Sequence, residues 1–130
     1  MVKAKVFISF DYDNDRSLKD LLVGQAKNED SPFEISDWSL KEAAPEKYWE
    51  EEAEEKIKRV DILCVIAGEK TYKASGVLKE IAIADSLNSE GCDIKKFQLI
   101  GYSSKECPHV EGAGRRILWT WDNLKSYLRK

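Results

Sequence analysis

The segment Asp61-Ile62-Leu63-Cys64-Val65-Ile66-Ala67-Gly68 is the most continuous apolar run in the chain, and it constrains the fold more than any other feature. A strand with one wet face alternates apolar and polar residues, whereas an unbroken run of this length suits a parallel strand covered on both faces. Parallel neighbours cannot be joined by a hairpin. Each connection has to cross over, usually through a helix, so the rest of the sequence should alternate strands with helices.

It does. Lys5-Val6-Phe7-Ile8-Ser9-Phe10 is rich in β-branched and aromatic residues and is closed by the polar cluster Asp11 to Asp15, which predicts a first, central strand. From Arg16 to about Asn28, Leu18, Leu21, Leu22 and Ala26 fall at i, i+3, i+4 and i+8, one face of an amphipathic helix. Phe33 to Trp38 alternates apolar and polar, as a strand near a sheet edge would. Pro45 suits a first helical turn. Beyond it Trp49, Ala53, Ile57 and Val60 form a stripe, while Glu50, Glu51, Glu52, Glu54 and Glu55 crowd toward the helix start. After the central run, Ser75 offers an N-cap for a helix through about Asn88, with Val77, Leu78, Ile81, Ala82 and Asp85 along adjoining faces. Lys96 to Tyr102 and Ile117 to Trp121 read as two further strands, and Asn123 to Arg129 as a short closing helix. Between those strands, Ser103 to Arg116 carries Pro108, Gly112 and Gly114, so little regular helix is predicted where a fourth crossover helix would stand.

At 130 residues the chain is expected to form one domain, residues 1–130: an α/β fold with a doubly wound parallel sheet of five strands in the flavodoxin-like order 2-1-3-4-5. The formal charge is -3 and basic residues are interleaved with acidic ones, which leaves no basic stripe for a phosphate backbone and disfavours nucleic acid as a partner. No apolar stretch approaches membrane-spanning length and no leader-like segment follows Met1, so a soluble cytoplasmic protein with no membrane partner is expected. The three cysteines, Cys64, Cys92 and Cys107, lack CxxC spacing and suit free thiols in a reducing compartment.

In sheets of this order the ligand sits beyond the carboxyl ends of the strands, in the crevice between strands one and three. Phe10 to Asp15, Ser36 to Pro45 and Gly68 to Glu80 should line that mouth, while the turns at Asn28 to Pro32, Gly91 to Lys95 and Glu111 to Arg116 fall at the opposite edge. Gly68 permits close backbone approach, and Thr71 and Ser75 bring hydroxyls to a helix start whose free N–H groups favour an anion such as a phosphate. Glu80, about one and a half turns into that helix, is positioned to reach over the same crevice, where a carboxylate can bind a ribose or stabilise cationic character at a sugar carbon as a base leaves. The plain alternative is a solvated surface residue, the usual state of a helical glutamate.

Other constellations fail on their own chemistry. Asp11-x-Asp13-x-Asp15 resembles a calcium loop, but Arg16 and Leu22 stand where a glycine and a glutamate are needed. Phosphotransfer of the receiver kind would want an aspartate and a lysine where Gly68 and Trp121 end strands three and five. The acidic turn Asp11 to Asp15 would repel the FMN phosphate of a flavodoxin. His109 and Cys107 are too few for a closed zinc site, so no metal is expected. The Gly112-Ala113-Gly114-Arg115 stretch lies at the wrong edge for a phosphate loop, and the glutamate run is a solvated helix face or a docking surface.

The opening Val6-Phe7-Ile8-Ser9-Phe10-Asp11 and the stretch Gly68-Glu69-Lys70-Thr71-Tyr72-Lys73-Ala74-Ser75-Gly76-Val77-Leu78-Lys79-Glu80-Ile81 resemble the TIR-like proteins of bacteria and archaea, over almost the whole chain. That group includes the signalling component of the Thoeris antiphage system. In the family the third helix commonly opens with a Trp-Val-x-x-Glu-Ile pattern, whose glutamate is associated with splitting NAD at the nicotinamide-ribose bond. Val77, Glu80 and Ile81 match that pattern, and Gly76 stands in place of the tryptophan. The resemblance implies that Glu80 is catalytic, that Ser9, Phe10 and Asp11 border a nucleotide pocket, and that the loop around Trp38 meets a ligand or partner. Trp38 is suited either to stack on a base or simply to pack.

Two functions follow from these readings. One is an enzyme that cleaves or cyclises NAD, with no tightly bound cofactor and NAD as substrate. The other is a non-catalytic signalling module that binds a protein partner or a second copy of itself through the Trp38 loop and the acidic second helix. The absent tryptophan favours the second.

Overall fold

The structure, a computed structural model, describes residues 2–38 and 46–130. Its elements follow in the order β1 (Ala4–Ser9), α1 (Arg16–Ala26), β2 (Phe33–Trp38), α2 (Glu46–Ile57), β3 (Ile62–Ala67), a 3₁₀ turn (Thr71–Lys73), α3 (Ser75–Ser89), β4 (Lys95–Ile100), β5 (Arg115–Leu118) and α4 (Trp121–Tyr127). The five strands form one all-parallel sheet in the order β2-β1-β3-β4-β5, the flavodoxin-like arrangement expected from the alternation. Every residue of β3 is buried, as its unbroken apolar run required.

Alternation along the strands divides the core into two layers. Val6, Ile8, Phe10, Ile62, Cys64 and Ile66 face α1 and α4, while Phe7, Leu63, Val65 and Ala67 face α2 and α3. Ser9 aligns with Val65 across the β1–β3 ladder, so the carboxyl ends of both strands open at one level. Trp38 pairs with Ile8 at the same end of the sheet, beyond a register shift between Val6 and Phe7.

Several sequence-based expectations are corrected. Leu21 is exposed, and α1 buries only Leu18, Leu22 and Ala26, because three residues at i, i+4 and i+8 already fill the contact with the sheet. The N-cap of α3 is Ala74, and Ser75 is its first residue. The buried face of α3 runs through Val77, Glu80, Ile81, Ala84 and Leu87, leaving Leu78, Ala82 and Asp85 outward. β5 starts two residues earlier than expected and ends at Leu118, so Arg115 and Arg116 belong to the strand and Trp121 opens α4. Thr120 caps that helix, its hydroxyl accepting from the Asn123 N–H at 3.1 Å. The expected helical role of Pro45 lies outside the described residues.

No helix connects β4 to β5, as the glycines and proline predicted. Gln98, fully buried in β4, organises the crossing instead. Its Oε1 accepts from the Val110 N–H at 2.9 Å, and its Nε2 donates to the carbonyls of Gly114 (2.8 Å) and Val110 (3.2 Å). Gly114 has φ +82°, and a Cβ there would collide with the backbone of Lys96, so only glycine serves.

Candidate functional site

At the carboxyl end of the sheet, two polar contacts tie segments that are far apart in the chain. Ser9 follows Phe7 by two residues and therefore projects toward α3. Glu80 lies three residues past Val77 on the buried face of α3. The Ser9 hydroxyl donates to Glu80 Oε1 at 2.8 Å, and both residues are 0% exposed. A solvated helical glutamate was the plain expectation; here the helix turns Glu80 inward because it shares the spacing of Val77, Ile81 and Ala84.

The second contact centres on Asp15, which the sequence places at the end of the acidic Phe10 to Asp15 segment expected to line the mouth. Asp15 occupies the N-cap position of α1, yet its side chain makes no capping bond. It reaches instead to the loop after β3, where Oδ2 accepts from the Thr71 hydroxyl at 3.1 Å, and Oδ1 accepts from the Tyr102 hydroxyl at 3.2 Å. Thr71 Oγ1 in turn accepts from the Gly68 N–H at 2.8 Å. A Cβ on Gly68 would fall within 2.6 Å of the Asp15 carboxyl carbon, so the close approach that Gly68 permits is used by Asp15. Burial raises the Asp15 pKa above its ordinary value; the bonds from Thr71 and Tyr102 pull it down, and the charges of Asp11 and Glu69 add to the rise. Tyr102 is raised too, first by burial and then by its acidic partner.

The other expected site residues take distinct places. Phe10 is 2% exposed and belongs to the core under α1, stacking on Tyr12. Asp11 holds its own turn, accepting from the Asp13 N–H at 3.2 Å and the Asn14 side-chain amide at 2.7 Å. Trp38 neither packs in the core nor stands bare: it is 41% exposed, with Lys19 Nζ 4.8 Å from its ring centroid. Ser75 is exposed at the start of α3. The structure thus brings Ser9 together with Glu80, and Gly68 with Thr71 and Asp15. Phe10 faces the other side of the sheet, and Trp38 stands on the edge strand beyond β1. Tyr102 was not among the expected site residues, and Asp15 was expected only as one residue of the segment lining the mouth. A polar residue at a helix start was the only signal, and it pointed to capping.

A cleft of about 780 Å³ lies at the opposite, amino edge, lined by residues including Lys3, Pro32, Asp122, Lys125 and Arg129. Its charges are mixed, and it lies away from the ends of β1 and β3 where a doubly wound sheet binds its ligand. Among the described residues no three His, Cys, Asp or Glu side chains group to hold a metal ion, and no helix is long and apolar enough to cross a membrane.

Among known protein families, the family model described as Thoeris protein ThsB, TIR-like domain, aligns with residues 7–101. That span runs from β1 through β4 and includes Ser9, Asp15, Gly68, Thr71 and Glu80. No curated protein matches the chain.

Proposed function

Since the chain belongs to the Thoeris ThsB family of TIR-like domains, we propose that it is a cytoplasmic signalling domain of antiphage defence that takes NAD or a related nucleotide at the carboxyl edge of its sheet. The observation that carries this reading is the buried bond from Ser9 to Glu80, which brings a carboxyl group to the carboxyl end of β1, beside β3, at the switch point of the sheet. In this reading Ser9 and Asp11 border the nucleotide, Trp38 stands at the rim of its site, and Gly68, Thr71 and Ser75 form the wall after β3. Burial polar enough to hold a carboxyl group, yet closed to bulk water, is the setting in which fixed charge acts most strongly on a developing cation.

In the proposed reaction the glycosidic bond between the ribose anomeric carbon and the nicotinamide nitrogen breaks, and its electron pair goes to the nicotinamide. The Glu80 carboxylate stabilises the resulting positive charge on the ribose. Water then attacks the anomeric carbon and releases its proton, or a nucleophile of the same nucleotide attacks and closes a ring. Because Glu80 is 0% exposed, turnover includes a step that uncovers it.

A second reading, a signalling module without turnover, is favoured by Gly76. It is buried in the first turn of α3, where the family pattern has tryptophan. Chromatographic assay of NAD consumption by the purified protein, at low and high protein concentration, separates the two. Consumption abolished by Glu80→Gln supports the enzyme; no consumption at any concentration, or equal consumption by the variant, refutes it.

A further inference from the structure

Glu80 is carried by α3, and α3 is reached from β3 through residues 68–74. Contact of Val77, Ile81 and Ala84 with the sheet selects the face that carries Glu80, and the lie of that connection sets how the first turns of α3 stand against Ser9. Within it the Gly68 N–H is bound by Thr71 Oγ1, and the Lys73 and Ala74 N–H groups donate back to the carbonyls of Lys70 and Thr71. These bonds shape the loop internally but do not fix it against β1. The bond that does so crosses 56 residues of sequence, from the Thr71 hydroxyl to Asp15. Asp15 also accepts from Tyr102, beyond the end of β4, and fills the space that a Gly68 side chain would occupy. One buried side chain therefore touches the segments after β1, β3 and β4. It does so while forgoing the helix-capping bond that its position offers. An exposed ion pair from Lys105 to Glu69, at 3.3 Å, joins the last two of those segments again.

We propose that Asp15 is a positioning residue for Glu80, holding the β3-to-α3 connection through Thr71 and Gly68 so that the Glu80 carboxyl group meets the Ser9 hydroxyl. This rests on the reading of Glu80 as the acting group. A carboxylate displaced by about 1 Å loses most of its effect on a transition state, which gives such a brace its consequence.

The test reads Glu80 directly and without NAD. In protein carrying ¹³C-labelled glutamate, the Glu80 side-chain carboxyl resonance is compared among wild type, Ser9→Ala, Asp15→Asn, Thr71→Val and Thr71→Ser. Asp15→Asn and Thr71→Val should move the resonance toward its position in Ser9→Ala, and Thr71→Ser, which keeps the hydroxyl, should return it. If Glu80 stays in place in both while the Gly68 and Thr71 amide resonances move, the proposal is overturned. Thr71→Val nearly conserves shape, so it keeps the test alive if Asp15→Asn does not fold. Where the wild type consumes NAD, Asp15→Asn should lower kcat about tenfold or more with KM changed less than about twofold, Thr71→Val should lower kcat as well, and Thr71→Ser should recover it. An equal loss in the two Thr71 variants counts against positioning. A wild type that consumes no NAD refutes the proposed enzyme and leaves the resonance test standing.

Discussion

Asp15 shows at the residue scale how burial and hydrogen bonding oppose each other. Burial raises its pKa above the ordinary 3.8, and two hydroxyl donors only partly offset it. The folded state therefore holds the proton more tightly than the unfolded chain does. By linkage, the stability this proton supplies is fully present below pH 3.8 and is lost as pH rises through the higher folded-state value. Asp15→Asn removes that dependence. Urea denaturation of both proteins across the acid range should show the variant gaining on wild type as pH rises from about 3.8, then holding a constant difference toward neutrality. A difference that does not change with pH contradicts the assignment. Gly68 belongs to the same account, since its lack of a Cβ makes room for the Asp15 carboxylate. From the sequence, Gly68 was legible as a point of close approach. What approaches it was not, because the partner is 53 positions earlier in the numbering of the chain.

Among the elements, the strands were the most legible. β2 has the predicted bounds, and β3 falls inside its predicted run. The buried face of α3 was misread for a definable reason. Val77, Leu78, Ile81, Ala82, Ile83, Ala84 and Leu87 surround this helix with apolar residues, so the 3.6-residue period carries little directional signal. Contact with the sheet chose the face and took Glu80 with it. The β4-to-β5 crossing makes the complementary point: its glycines and proline announced a loop, but only the fold shows that Gln98 pairs its backbone groups. Gln98→Leu leaves the Val110 N–H and the Gly114 carbonyl without that partner, at about 1–3 kcal/mol for each buried group left unpaired. Equilibrium denaturation should register a loss of about 3 kcal/mol, and a loss under about 1 kcal/mol would show that the crossing holds without Gln98.

On the scale of the whole molecule, β3 is the middle of the sheet and Cys64 the middle of β3. Burial pushes the Cys64 thiol up to about 12, so at pH 8 it is protonated and unreachable until the fold opens. Cys92, at the amino edge of β4, is partly exposed to solvent. A disulfide reagent should modify Cys92 first, and the logarithm of the rate at Cys64 should fall linearly with the stability measured by denaturation. Cys64 reacting as fast as Cys92 would mean that the central strand opens locally.

The alternation of strands and helices and the parallel sheet followed from residue patterns, because apolar periodicity and turn residues act over a few neighbouring positions; the order 2-1-3-4-5 was expected only as the commonest arrangement for such a chain, and the pairing of distant strands in the tertiary structure decided it. Which polar side chains meet did not. Ser9 and Glu80 are 71 positions apart, Asp15 and Thr71 are 56, and Asp15 and Tyr102 are 87. Bonds of about 3 Å between such distant groups exist only once the sheet has brought the strand ends to one level, and no local pattern encodes that distance.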